Sequence, residues 1–91
     1  MGKVLVIVDF KGATKQQYDD SVTDLTAAGQ LKLAVRPHHF AAIKGDGIYV
    51  IDIWDSAEDF TKFGEIMIPI IIKNGITPPE VQILPLHNEL D

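Results

Sequence analysis

The first apolar block, Val4 to Val8, is unbroken and mostly β-branched, which predicts a strand over Lys3 to Phe10 that Gly12 breaks. A helical period follows. Thr14 and Gln17 have the spacing of a capping box, and Tyr18, Val22 and Leu25 fall on one helix stripe, with Asp19, Asp20 and Asp24 off it. Gly29 suits the stop. A second strand is expected from about Leu33 to Ile43. Pro37 makes it irregular and places it at a sheet edge, because proline cannot donate to a ladder. Gly45-Asp46-Gly47 reads as a tight turn into a third strand, Ile48 to Asp55. Ser56 is the N-cap of a second helix with Asp59 in its first turn, and Phe60, Phe63, Met67 and Ile70 form the expected buried stripe. Ile66, Ile68, Ile71 and Ile72 make its end apolar nearly all round, and Pro69 is expected to kink or divide it. Asn74-Gly75 ends this helix, Pro78-Pro79 forces extended chain, and Glu80 to about His87 is the last strand.

The order β-α-β-β-α-β specifies the α+β class. It is the ferredoxin-like βαββαβ plan, an antiparallel four-stranded sheet with two helices on one face, in a single domain over residues 1–91. An antiparallel sheet with one wet face should alternate apolar and polar positions. These strands do not: Val4 to Val8 has no polar residue, and Asp52 alone interrupts Ile48 to Trp54. Two helices cover one face, so something must cover the other. A second copy of the same sheet around a twofold axis is the expected cover, which makes the chain a homodimer. The apolar end of the second helix offers a further contact, to the same partner or within a larger assembly.

Composition narrows the function classes. The chain has 91 residues, 46% hydrophobic and 23% charged, an ordinary globular mixture. Eight basic residues against 13 acidic ones give a net charge of −5, with no basic stripe for a nucleic acid. Cysteine is absent, so disulfides, thiolate metal sites and a cysteine nucleophile are excluded. No apolar run approaches a membrane span or the core of a signal peptide, and a cytoplasmic location is expected. The three histidines show no metal-ligand spacing. No glycine-rich phosphate loop follows a strand, and no cofactor is expected.

The candidate chemistry lies on the hairpin. His38 and His39 are adjacent in a strand and point to opposite faces. With a two-residue turn, His39 shares a face with Val50, Asp52 and Trp54, whereas a three-residue loop would reverse the assignment. On the first register Asp52 can hold the imidazole tautomer and raise its basicity, and the indole can stack a planar ligand. On the other reading, His39 and Asp52 are a buried pair that satisfies itself, with Trp54 as core. His87 near the end of the last strand is either a pocket-mouth residue or a solvated strand end. Tyr18 and Tyr49 can each place a hydroxyl in a cavity or simply find a hydrogen-bond partner. Ser21 and Ser56 have no base beside them in sequence.

The segment Ile51-Asp52-Ile53-Trp54-Asp55-Ser56-Ala57-Glu58-Asp59-Phe60 resembles a signature of the dimeric α+β barrel superfamily: strand, Trp, acid, Ser, acidic helix start, Phe. More narrowly, the chain resembles small proteins related to antibiotic-biosynthesis monooxygenases. Pro79-Glu80-Val81, Pro85-Leu86-His87-Asn88 and His39 before the hairpin extend the likeness over nearly the whole chain. The resemblance implies a dimeric α+β barrel with a cavity between sheet and helices, lined at the Trp54 position. The superfamily also includes heme-degrading enzymes, in which an Asn on the first strand and a His on the second helix are used. Here the first strand ends Val8-Asp9-Phe10 and the second helix has no His, which argues against heme degradation.

Two functions are carried forward. In the first, a homodimer binds a small apolar or aromatic ligand and acts as a cofactor-free monooxygenase, or as a cyclase or isomerase, on an aromatic or polyketide-like compound. His39 is the base, Asp52 its orienter and Trp54 the wall, with Tyr18, Tyr49 and His87 around the pocket. In the second, the dimer is a non-catalytic ligand-binding or structural protein, and the His39–Asp52 pair holds the barrel together.

Overall fold

The structure, a computed structural model, describes residues 2–90, so both ends of the expected 1–91 domain, Met1 and Asp91, lie outside the described residues. The elements run β1 (Val4–Phe10), α1 (Lys15–Ala27), β2 (His38–Lys44), β3 (Gly47–Trp54), α2 (Ala57–Lys73) and β4 (Glu80–Pro85). The strands form one four-stranded antiparallel sheet in the order β2-β3-β1-β4. This is the expected ferredoxin-like arrangement.

Local chemistry sets the helix ends. Thr14 Oγ1 accepts the Gln17 N–H, and the Gln17 side chain accepts the Thr14 N–H, completing the capping box. Ser56 Oγ accepts the Asp59 N–H at the start of α2. Both helices end in the same way. Gln30 N–H reaches the Leu25 carbonyl and Gly29 N–H that of Thr26, while Ile76 N–H reaches Ile71 and Gly75 N–H reaches Ile72. These paired bonds are Schellman motifs, which need a left-handed residue, and Gly29 and Gly75 stand at φ +74° and +84°.

Two strand boundaries depart from expectation by two residues or more. The second strand begins only at His38. Leu33 to Pro37 leaves the sheet, with Arg36 N–H turned back on the Leu33 carbonyl and Asp55 N–H bonded to the Val35 carbonyl. Pro37 has no N–H for a ladder, so pairing starts just after it. The last strand stops at Pro85, short of His87. The helix α2 runs undivided through Pro69, whose missing bond would have reached the carbonyl of Glu65 on an exposed side where water can serve. Its buried stripe is Phe60, Phe63, Met67 and Ile71, with Ile71 in place of the expected Ile70. A step of four from Met67 keeps the stripe, whereas a step of three begins to leave it.

The turn is the two-residue one. Lys44 pairs with Gly47 around Gly45-Asp46, so His39 faces Asp52 and His38 faces Ile53. Gly47 is constrained by space, since a Cβ there would lie 2.5 Å from the Phe10 carbonyl oxygen. The helix-side face of the sheet carries Val6, Val8, Phe10, Ile48, Val50 and Trp54, which pack with the α2 stripe into the core. Trp54 is fully buried and meets Phe60 edge-on at 5.7 Å and Phe63 at 5.1 Å between ring centroids.

The opposite, open face is apolar at its centre, with Asp9, Glu80, Gln82, His38 and Lys44 toward its margins. The ladder register places Leu5 and Ile7 beside Ile53 and Ile51, with Phe40 and Leu84 on the flanking strands. Phe40 is 64% exposed and Leu84 46%. Beyond β4 the chain turns back along the end of the sheet. Leu86 N–H donates to the Lys3 carbonyl, and the Glu89 carboxylate meets Lys3 at 3.4 Å and His38 at 2.9 Å.

Asp24, off the apolar stripe of α1, ties the two helices. It accepts from the Asn74 amide at 3.0 Å and meets the Lys73 ammonium at 2.9 Å. These partners, the Asn74 amide first, hold its carboxyl below its ordinary value of 3.8. The folded state therefore binds fewer protons than the unfolded one near that pH. The contribution is complete above 3.8 and disappears as pH falls through the folded value. Asp24→Asn is expected to lower the thermal midpoint at neutral pH, and the gap to the parent should close as pH falls below 3.8. Thermal scans across that range check it.

Candidate functional site

A cavity of about 450 Å³ lies between the helices and the sheet. Its walls are mostly core side chains: Val8, Phe10 and Val50 from the sheet, Val22 and Leu25 from α1, and Phe60, Phe63 and Met67 from α2. The polar groups gather at the end near β2, where Tyr18, Arg36, His39 and Asp52 all line the wall. An apolar cavity of this size with a few convergent polar groups is the usual form of a small-molecule site.

Four side chains form one hydrogen-bonded chain. Asp52 is 3% exposed and accepts twice: from Trp54 Nε1–H at Oδ2, 3.2 Å, and from His39 Nδ1–H at Oδ1, 2.5 Å. A carboxylate only accepts, so the ring proton sits on Nδ1 and leaves Nε2 as the acceptor. Tyr18 O–H donates to that nitrogen at 2.8 Å. Every proton is thus directed toward Asp52, and the lone pairs of the Tyr18 oxygen are left at the cavity wall. Burial, and after it the nearby Asp52 charge, push the Tyr18 hydroxyl above its ordinary value of 10.0. The phenol stays protonated in the resting site. No buried side-chain polar atom among the described residues lacks a partner.

Arg36 is the polar group that the sequence reading missed. It is the chain's only arginine. Its guanidinium lies 5.7 Å from the Trp54 ring centroid and 5.6 Å from that of Phe63, and it donates to the Leu31 carbonyl. One signal was present, a lone arginine three residues before His39. It could not be placed while the segment was read as strand, because the loop alone turns this side chain onto the indole.

The remaining candidates separate. Tyr18 joins His39 and Asp52. Trp54 does not line the cavity as expected: it stands behind Asp52, with Arg36 over its ring. Tyr49 pairs with Ala42 and Asp9 on the open face, away from the cavity, where the Lys44 ammonium lies 4.6 Å from its ring centroid. Strand alternation forces this, since Tyr49 is an odd step from Asp52. His87 is exposed beyond the end of β4 and does not line the cavity. Ser21 is buried in the cavity wall and donates to the Gln17 carbonyl. No cluster of three His, Cys, Asp or Glu suited to a metal ion occurs among the described residues. No helix among them is long and apolar enough to cross a membrane.

No protein-family model and no curated protein matches the sequence. Among solved structures, the chain is similar to a candidate antibiotic biosynthesis monooxygenase from Chloroflexus aurantiacus J-10-fl. The likeness covers 97% of each chain at a TM-score of 0.57 and 15% sequence identity. The ferredoxin-like α+β fold found in that antibiotic biosynthesis monooxygenase-like protein is therefore the fold of this chain.

Proposed function

We propose that the cavity binds a planar, hydroxylated or enolisable aromatic compound and removes a proton from it, in a cofactor-free monooxygenase reaction. The observation that carries this reading is the ordered chain Tyr18–His39–Asp52 at the polar end of an apolar cavity. A ligand hydroxyl donates to the Tyr18 oxygen. As its proton transfers, Tyr18 passes its own to His39 Nε2, and Asp52 stabilises the imidazolium. The electron-rich anion left behind reacts with dioxygen at the ring carbon that is a methylene in the ligand's keto form. One oxygen atom becomes the carbonyl, and the other leaves as water with the one hydrogen left on that carbon and the proton returned from His39. The similarity to a candidate monooxygenase supports this choice over cyclisation or isomerisation. The apolar open face of the sheet supports a homodimer with one cavity in each subunit.

The non-catalytic reading also has an observation in its favour: the four-residue chain satisfies itself without a ligand. Anthrone, which has such a methylene, separates the two. Protein-dependent dioxygen uptake with anthraquinone formation is expected for the parent, and His39→Ala should lower it by about 10²–10⁴-fold. Binding without uptake would favour the non-catalytic dimer, and an unchanged rate in His39→Ala would remove His39 from the mechanism.

A further inference from the structure

We propose that Arg36 is the specificity-determining residue of the cavity, so that the site selects aromatic ligands bearing one negative charge, either a carboxylate or an ionised hydroxyl. This rests on the small-molecule reading of the cavity and names the ligand class within it.

Lys3, Lys11, Lys44, Lys62 and Lys73 each have a carboxylate within salt-bridge distance, and so do His38 and His39. Arg36 has none among the described residues, and the one hydrogen bond of its guanidinium to them is to the Leu31 carbonyl. Lys15 and Lys32 are also without one, but both are exposed and hydrated, whereas Arg36 is half-buried in the cavity wall. A half-buried guanidinium held on two aromatic rings has lost part of its hydration and keeps N–H groups for an acceptor.

Position agrees with this. Arg36, His39 and Leu31 line both the cavity and a more open groove outside it, where Lys32 and Pro37 also stand. A ligand arriving by that groove meets Arg36 before it reaches Tyr18. The side chain is also pre-set. Arg36 N–H bonds to Leu33, Asp55 N–H holds Val35, and the guanidinium is tied to Leu31, so the loop needs little reordering on binding. The Arg36 charge opposes the upward push on the Tyr18 hydroxyl but is outweighed there by Asp52, so the place for a ligand's anionic group is beside the guanidinium and not at Tyr18.

A pair of probes with the same ring system tests the proposal: 2-naphthoate, which is anionic, and 2-naphthamide, which is neutral. Calorimetric titration of the parent protein should show naphthoate binding about tenfold or more tightly than naphthamide, because a charge-assisted bond is stronger than a neutral one. Arg36→Met should reduce that preference to about twofold or less and leave naphthamide affinity in place, and Arg36→Lys should restore part of it. Equal affinity for both probes in the parent would overturn the proposal and leave the cavity reading intact. A preference that survives in Arg36→Met would also overturn it, by placing the cation elsewhere. Failure of both probes to bind would overturn the aromatic-ligand reading itself, and this inference with it.

Discussion

Asp52→Asn is expected to lower turnover by about 10³–10⁴-fold while the protein stays folded. The carboxylate now accepts from two donors, Trp54 Nε1–H and His39 Nδ1–H. An amide has one acceptor atom. If that oxygen keeps the indole N–H, the amide NH₂ faces His39 Nδ1, and two donors cannot share a bond. The imidazole resolves the conflict by moving its proton to Nε2. That nitrogen then donates to the Tyr18 oxygen and can no longer take a proton. The chain remains fully bonded but its direction is reversed, so the base is lost without a hole in the core. Loss of the charge should cost about 1–2 kcal/mol of stability, visible as a modest shift in a denaturant midpoint. Nitrogen NMR shifts of His39 report the tautomer directly. A variant with the reversed tautomer and unimpaired turnover would show that His39 Nε2 is not the proton acceptor. Asp52→Ala is the contrasting case. It leaves the fully buried indole N–H unpaired and should cost about 3 kcal/mol or more.

Ile51→Glu is the second large effect, expected on assembly. Ile51 lies at the centre of the open face, opposite Ile7 on one neighbouring strand and Phe40 on the other. In a single chain this position is partly exposed, so a carboxylate there keeps access to water and the subunit should fold. Against a second apolar sheet the same carboxylate would be stripped of water with no cation opposite it. The cost is at least about 3 kcal/mol, which weakens dimerisation by more than a hundredfold. Native mass spectrometry or sedimentation should find the parent as a dimer and the variant as a monomer. Lys62→Glu, on the exposed side of α2, serves as the control and should remain a dimer. A monomeric parent at micromolar concentrations would overturn the dimer and leave a single chain with this apolar face exposed. The monomeric variant also shows whether the cavity, which one chain encloses, binds ligand independently of the dimer.

The sequence determined whatever depends on short stretches of chain. Thr14, Ser56, Gly29 and Gly75 act within one helical turn, so both helix starts and both stops were legible. The tight turn was legible at Gly45-Asp46-Gly47, but its length, and with it the hairpin register, was decided by the fold. A two-residue turn at Gly45-Asp46 leaves only one pairing, and that pairing puts His39 opposite Asp52 with Trp54 two residues further along the same face. The unbroken apolar strands also foretold that the sheet would have no polar face.

Tertiary structure decided the rest, because it joined residues that no local period relates. Tyr18 was one of two tyrosine candidates until the packing of α1 over the sheet set its hydroxyl on His39, 21 residues away. Tyr49 and His87 looked equal to it in sequence and were placed elsewhere, one by strand alternation and the other by the early end of β4. Trp54 changed from a wall of the cavity to a support behind it, because Arg36 lies over its ring. Arg36 itself depended on the 31–37 segment leaving the sheet ahead of Pro37, and the bond from Asp55 that fixes this loop spans 20 residues of chain. Capping and turn energies are local and can be read in order along the chain. The cavity is where separate elements meet, and its chemistry is set by which side chains that meeting leaves facing one another.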